Sequence, residues 1–222
     1  MFSISHIYCR TQYFSATLTT TLRRRDEWYK SVSGSGVSFG QTKNVNRQTL
    51  ISALLAYSPS PDEHPFVARF LDLLQHPDAY QRTHLPGHLT GSVWIVDPSR
   101  KFVLLTHHAK LNRWLQPGGH ADGDENILNV ALREAEEETG LRNFTHHASV
   151  FDVDIHTIPA RKDFPEHLHY DVRFLLETDR DNSLHLSDES HALAWVAVEE
   201  LAAKTENNVS MLRMADKVKR LL

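Results

Sequence analysis

Cysteine is nearly absent. The single Cys9 excludes an internal disulfide, and so sparing a use of thiols fits a cytoplasmic chain. No run of about 18 apolar residues occurs, so nothing reads as a membrane span. No apolar core follows a basic start, so no secretory signal is read. No internal repeat is visible. Acids are missing from the start: none precedes Asp26, and residues 1–45 carry six Lys or Arg against two acids. The rest reverses the balance, with eighteen Lys or Arg against twenty-six acids. An acidic body does not suit nonspecific binding to DNA. It suits a protein that gathers cations to act on phosphates.

What is present is enough for one sizeable core, or one domain plus an extension: 222 residues, 41% of them hydrophobic. Residues 1–45 are rich in Ser, Thr and Tyr and contain Arg23-Arg24-Arg25. They read as a flexible extension, as upstream sequence that is not native to the protein, or as an organelle transit peptide. From Asn46 the texture is that of a folded chain. Leu50, Ile51, Leu54 and Leu55 predict one helix, and Phe66, Phe70, Leu73 and Leu74 a second, separated by Pro59, Pro61 and Pro65. Together, residues 46–86 are expected to cap or brace a catalytic domain over 87–222. Ser92–Asp97 and Phe102–His107 predict a hairpin around Pro98-Ser99. Further strands are expected over Ala148–His156, Leu168–Glu177 and Ala192–Val196, with closing helices over Val198–Lys204 and Asn208–Leu222.

The chemistry concentrates between Gly119 and Leu141. Glu134, Glu137 and Glu138 are spaced i, i+3, i+4 and share one helical face. Carboxylates that close repel, unless a hard cation such as Mg2+ uses their oxygens. Asp122 or Asp124 is expected to cap the helix, with Glu125 in its first turn, and Gly140 to end it. A plain solvated acidic helix is the alternative reading.

The segment resembles the Nudix box, G-x5-E-x7-R-E-U-x-E-E-x-G-U, with U an aliphatic residue. Gly119, Glu125, Arg133, Glu134, Glu137, Glu138 and Gly140 fill every fixed position, and Leu141 the last aliphatic one. Ala135 fills the other aliphatic slot and is smaller than usual. Leu115–Gly119 and the Trp195-Val196 step, followed by Glu199-Glu200-Leu201, also look like the family's flanks. The resemblance implies an α+β fold, an α/β/α sandwich with a mixed sheet, here with an N-terminal helical extension. It implies hydrolysis of a diphosphate bridge in a nucleoside diphosphate linked to another group, or in a nucleoside triphosphate, with Mg2+ or Mn2+. Glu137 and Glu138 are then the principal metal ligands, joined by Glu134 and the Gly119 carbonyl. Glu134 is also a candidate base, Arg133 orients a glutamate, Glu125 supports, and Glu136 is solvated.

Members of the family often use a further acid outside the box. Glu189 is the choice, with Asp188 and Glu166 as rivals. Lys110, Arg113, Trp114 and His120 are candidate substrate contacts, and His107 and His108 flank the box entry. In 151–156 and 167–174 the side chains alternate, so His169, Asp171 and Arg173 share a polar face with Asp152, Asp154 and His156 across the strands. That face either meets solvent or lines the substrate cleft, which makes His169 and Arg173 candidate substrate contacts. His167-x-His169-x-Asp171 also has the donor types of a transition-metal site.

The partner expected is a small nucleotide, with no membrane and no DNA, in a chain able to form a homodimer. Signatures of the family's ADP-ribose, dinucleoside polyphosphate, coenzyme A and NADH subgroups are missing, displaced or faint. Two other readings stand beside hydrolysis of a small nucleotide: a non-catalytic sensor of the same fold, and an enzyme that trims RNA 5′ ends.

Overall fold

The computed structural model describes residues 46–146, 148–162 and 164–221. The expectations for residues 1–45 lie outside the described residues. Helix α1, Arg47–Ala56, starts at Asn46, whose side chain accepts from the Thr49 amide at 3.1 Å. Helix α2, His64–Leu73, carries Pro65 in its first turn, where a missing N–H costs nothing. These helices bury Leu50 and Leu54, and Phe70 and Leu73.

Strand β1, Gly87–Val96, is buried along its whole length. It runs parallel to β7, His167–Glu177, in unbroken register from Gly87↔Leu168 to Val96↔Glu177. Its other edge is shared by two strands. Near its start it pairs with β4, Gly118–His120 (Thr90↔His120, Gly91↔Gly119, Ser92↔Gly118). At its end it pairs with β2, Phe102–His108, through the expected hairpin (Ile95↔Leu104). Strand β2 also pairs with β3, Arg113–Leu115, and with β8, Ser190–Ala197. On the far edge of β7 lie β6, Asp152–Ile158, and the short β5, Thr145–His146.

Strand alternation makes two cores. Leu89, Val93, Ile95, Val172 and Phe174 pack with Leu50, Leu54 and Phe70, and with Ile127, Val130 and Ala131 of helix α3, Ile127–Thr139. On the other face Trp94, Val96, Val103, Leu105 and Val196 meet Leu201 of α4, Leu201–Lys204, and Met211, Met214 and Val218 of α5, Val209–Lys219. The result is the α/β/α sandwich with a mixed sheet. Residues 47–73 share the first core rather than resting on its surface. No helix among the described residues is long and apolar enough to cross a membrane.

The part of the polar face of β6 and β7 that holds Asp152, Asp154, Asp171 and Arg173 is buried, while His156 and His169 at its other end are partly exposed. Arg173 is 2% exposed. Its guanidinium donates to Asp171 at 2.7 Å, Asp152 at 3.1 Å and Asp154 at 3.2 Å. Arg213 of α5 adds bonds to Asp152 at 2.8 and 2.9 Å, and Lys217 reaches Asp152 at 2.7 Å and Glu63 at 2.5 Å. Glu63, fully buried, also accepts from the Ser60 amide at 2.7 Å, the Val153 amide at 3.1 Å and the Tyr57 hydroxyl. Four carboxylates thus meet three cations, with the remaining lone pairs taken by N–H and O–H donors. A buried charge persists only when so paired.

Burial alone would raise Glu63, but Lys217, Tyr57 and Ser60 outweigh it and hold the carboxyl at about 2. Asp154 is likewise held below the usual carboxylate range: burial opposes, while His156, Arg173 and Arg213 prevail. Depressed carboxyls stabilise the fold above their unfolded pKa of about 4, and that share is lost as pH falls. Urea melts should therefore show a stability loss between about pH 5 and pH 2, and Glu63→Gln should flatten that slope. Parallel slopes for both proteins would contradict the assignment.

Candidate active site

Helix α3 carries the acidic face. Its cap is Asn126, whose side chain accepts from the Asn129 amide at 3.2 Å. The expectation of an Asp122 or Asp124 cap is corrected. Asp122 pairs with Arg82, and Asp124 accepts from the Asn126 amide at 2.8 Å, one step before the helix. Glu125 also precedes the first turn. It receives two bonds from Arg47 of α1, at 2.8 and 3.0 Å, and so ties the N-terminal helix to the loop that aims α3. Gly140 ends the helix with φ 74°, and Leu141 is buried after it. Ala135 is fully buried on the apolar stripe.

The opposite stripe meets β4. Glu138 accepts from the Gly118 amide at 2.8 Å. Gly119 lies against the Glu134 carboxylate, and a Cβ built there would stand 2.4 Å from Glu134 Cδ. Arg133 Nη1 sits between Glu134 Oε1 at 2.9 Å and Glu137 Oε2 at 3.2 Å, while Nη2 donates to the His120 carbonyl at 3.2 Å. Glu189, on the turn entering β8, is close enough for its charge to act on Glu134 and Glu138. Burial, then Glu134 and Glu189, push the Glu138 carboxyl up to about 7, against the pull of the Gly118 amide and the Thr106 hydroxyl. Burial also raises Glu134; Glu137 and Glu189 add to the shift and Arg133 opposes it.

Glu134, Glu138 and Arg133 thus meet β4 at Gly118–His120, with Glu137 joined through Arg133, while Glu189 is exposed and acts on Glu134 and Glu138 through its charge. Two partly buried carboxylates, Glu134 and Glu138, with the exposed Glu137 on the same helix, have the oxygen donors that a hard divalent ion takes. Glu137 is the most open of the box acids, its side chain 57% exposed. Glu136 faces away, pairing with Arg142 at 2.8 Å. Asp188 and Glu166 are exposed.

The candidate substrate contacts divide. Lys110 is exposed on the turn after β2, close enough to act on His108, which also feels Glu189. Arg113 and Trp114 line a shallow groove with Lys204 and Asn208, where Trp114 stacks on His107 at 5.0 Å and Lys204 Nζ lies 4.0 Å above its ring. That groove does not include the box carboxylates. His120 and His169 stand together, ring centroids 4.9 Å apart. The expectation that Arg173 meets substrate is corrected: its donors are spent on Asp171, Asp152 and Asp154 in the interior.

The sequence reading missed Arg82. Its side chain is 56% exposed, it pairs with Asp122, and Glu134 and Glu189 both act on it. It lies in the loop before β1, where no motif marks it. Gly119 gives a sharp test of the geometry. The clash in Gly119→Ala falls on the end of a movable side chain, so the thermal midpoint should barely change. A displaced carboxylate should still lower kcat by about 10²-fold. A large fall in stability with kcat intact would refute this placement.

A fold of this kind, with a glycine turn set against a glutamate-lined helix, defines a class, and the comparisons identify it. The NUDIX domain model matches residues 87–217, and the chain belongs to that family. The chain is 30% identical to the bis(5′-nucleosyl)-tetraphosphatase (asymmetrical) of Rattus norvegicus over 109 residues, 45% of this chain and 66% of that protein. It is 44% identical to the m7GpppN-mRNA hydrolase NUDT17 of Xenopus laevis over 57 residues, 23% of this chain and 19% of that protein. The matches thus span less than two thirds of either relative. In fold, it is similar to the C. elegans Ap4A hydrolase binary complex, with a TM-score of 0.50 at 19% identity, covering 60% of this chain and 96% of that one.

Proposed function

We propose that this chain hydrolyses a diphosphate bridge in a nucleoside diphosphate linked to another group, or in a nucleoside triphosphate, with Mg2+ or Mn2+. The observation that carries the reading is the meeting of Glu134 and Glu138 with Gly118 and Gly119 of β4, with Glu138 raised to about 7 by burial and like charge. Acids so crowded favour a proton or a cation over their bare ionised state. Glu134, Glu137, Glu138 and the Gly119 carbonyl would hold the ion. When bound, it neutralises the bridging phosphates and makes water a better nucleophile.

The rest belongs to the chain's own residues. Arg133 fixes Glu134 and Glu137 through one shared nitrogen, so both carboxylates keep their aim. Glu134 is placed to take a proton from the attacking water, its basicity raised by burial. Arg82, on which Glu134 and Glu189 act, and Lys110, beside His108, are exposed cations suited to phosphate oxygens. His108 lies beside Glu189 and Lys110 at the same entrance.

The names of the relatives support a nucleoside polyphosphate as substrate, since one is a tetraphosphatase and one an mRNA hydrolase. The test is a panel of dinucleoside polyphosphates, nucleotide sugars, nucleoside triphosphates and 5′-triphosphate or capped RNA. Product release is measured with Mg2+ and with chelator. Metal-dependent cleavage of a small bridged nucleotide is expected to be fastest. Faster cleavage of RNA ends would favour the RNA reading. Tight nucleotide binding with no product would make the chain a sensor.

A further inference from the structure

A second set of metal-binding side chains lies outside the acidic helix. His88 of β1 and His169 of β7 are register partners across the parallel pair, and His167 lies two residues earlier on the same face of β7. One ring nitrogen from each of the three lies within 4.8 Å of the others. His88 is fully buried and His167 is 8% exposed. Stacked imidazoles without a purpose are a poor use of an interior, because each ring has two polar nitrogens to satisfy.

The hydrogen bonds set the rings for coordination. His167 Nδ1 faces the Pro165 carbonyl at 2.9 Å, and a carbonyl only accepts, so this nitrogen carries the proton. The lone pair is then on Nε2, which points at His169 Nε2 at 3.3 Å. Two nitrogens each about 2.0–2.1 Å from a tetrahedral ion stand about 3.3–3.4 Å apart. His88 repeats the arrangement more loosely. Its Nδ1 faces the His84 carbonyl at 3.4 Å, and its Nε2 is buried without a hydrogen-bond partner. Carbonyl-oriented imidazoles with a free Nε2 are the usual supporting shell of a histidine metal site.

We propose that His88, His167 and His169 form a second metal site, separate from the carboxylates of α3, which takes a zinc-class transition ion and leaves one coordination position open. Neutral imidazoles suit zinc, copper, iron or nickel, whereas Mg2+ prefers oxygen. Burial disfavours the charged form of an imidazole, and His88 is fully buried, so the cluster offers neutral nitrogens. Asp171, the third donor of the sequence pattern, does not join: it accepts from Thr90 at 3.0 Å, Ser92 at 2.7 Å and Arg173 at 2.7 Å. His88 takes its place. Arg82 and Asp122, which both act on His88, pair with each other and so offer the cluster little net charge. His120 stands beside the cluster, its ring 5.2 Å from His88 and 4.9 Å from His169, and its neighbour in sequence is Gly119. The cluster is thus next to the box, where water or a phosphate oxygen of a bound nucleotide could fill the open position.

Co2+ is the probe, since its visible absorption reports imidazole coordination of low symmetry. The full chain is stripped with chelator and titrated with Co2+, then with Zn2+ in competition. Wild type and Glu138→Gln should each show the intense visible band of one imidazole-bound Co2+, which Zn2+ removes, whatever further Co2+ the carboxylates of α3 take up. His167→Gln and His169→Gln should weaken that binding by at least about 100-fold, with folding checked by circular dichroism. If His167→Gln does not fold, the less buried His169 decides. The proposal is overturned if no such band forms, if both folded histidine variants retain it, or if only Glu138→Gln loses it. Because this readout does not use turnover, it fails or succeeds independently of the proposed hydrolysis.

Discussion

Glu138→Gln is expected to abolish turnover and, in the metal-free protein, to raise the melting temperature. The two effects share a cause. Burial, with Glu134 and Glu189 adding to it, raises the Glu138 carboxyl to about 7. A carboxyl raised on folding is held more tightly by its proton in the native state. Ionisation therefore costs stability, from above the unfolded pKa of about 4.3 until the folded value is passed. A shift of this size corresponds to about 3–4 kcal/mol at pH 8. Glutamine keeps an oxygen for the Gly118 amide but carries no charge. The thermal midpoint should rise by about 6–16 °C at pH 8 and hardly at all near pH 4.5. Activity should fall by at least about 10²-fold, as it does when one charge-stabilising group is removed from an active site. Calorimetry at two pH values and a steady-state assay suffice. A variant that remains active, or gains no stability at pH 8, would remove Glu138 from the site.

The second large effect is structural. Arg173→Met should cost about 3–5 kcal/mol, because it leaves Asp152, Asp154 and Asp171 buried with too few cations. Arg173→Lys should cost less, since it keeps the charge and loses the fork that reaches three carboxylates. Denaturant melts measure both. Where the protein remains folded, KM for the best substrate should stay within about 2-fold of wild type. A substrate contact would give the reverse pattern, a higher KM at unchanged stability.

Much of the fold could be read from local rules. The alternation in β6 and β7, the hairpin at Pro98-Ser99 and the glycine stop at Gly140 are all short-range signals. The acidic stripe of α3 was legible for the same reason, as helical spacing alone puts Glu134 and Glu138 side by side. The cap was misread because Asp122, Asp124 and Asn126 are all good caps, and what separates them is Arg82, distant in sequence. The polar face of β6 and β7 was misread because alternation says which residues share a face, not what covers it. Its cover comes from Arg213 and Lys217, and Lys217 bonds Glu63 across 154 positions of sequence. The histidine cluster was half visible: His167-x-His169 stood out, but His88 joins only through the parallel pairing of β1 and β7.

That pairing between Glu63 and Lys217 bears on where this domain begins. The region matched by the family model starts at Gly87 and ends at Lys217. A protein expressed from Gly87 would keep every residue of the box. It would lose Glu63, leaving Lys217 short of one buried partner, and Arg47, leaving Glu125 untethered. It would also bare the sheet face that Leu50, Leu54 and Phe70 cover. A piece that begins at Asn46 keeps these contacts, and it is expected to melt at a higher denaturant concentration than one that begins at Gly87.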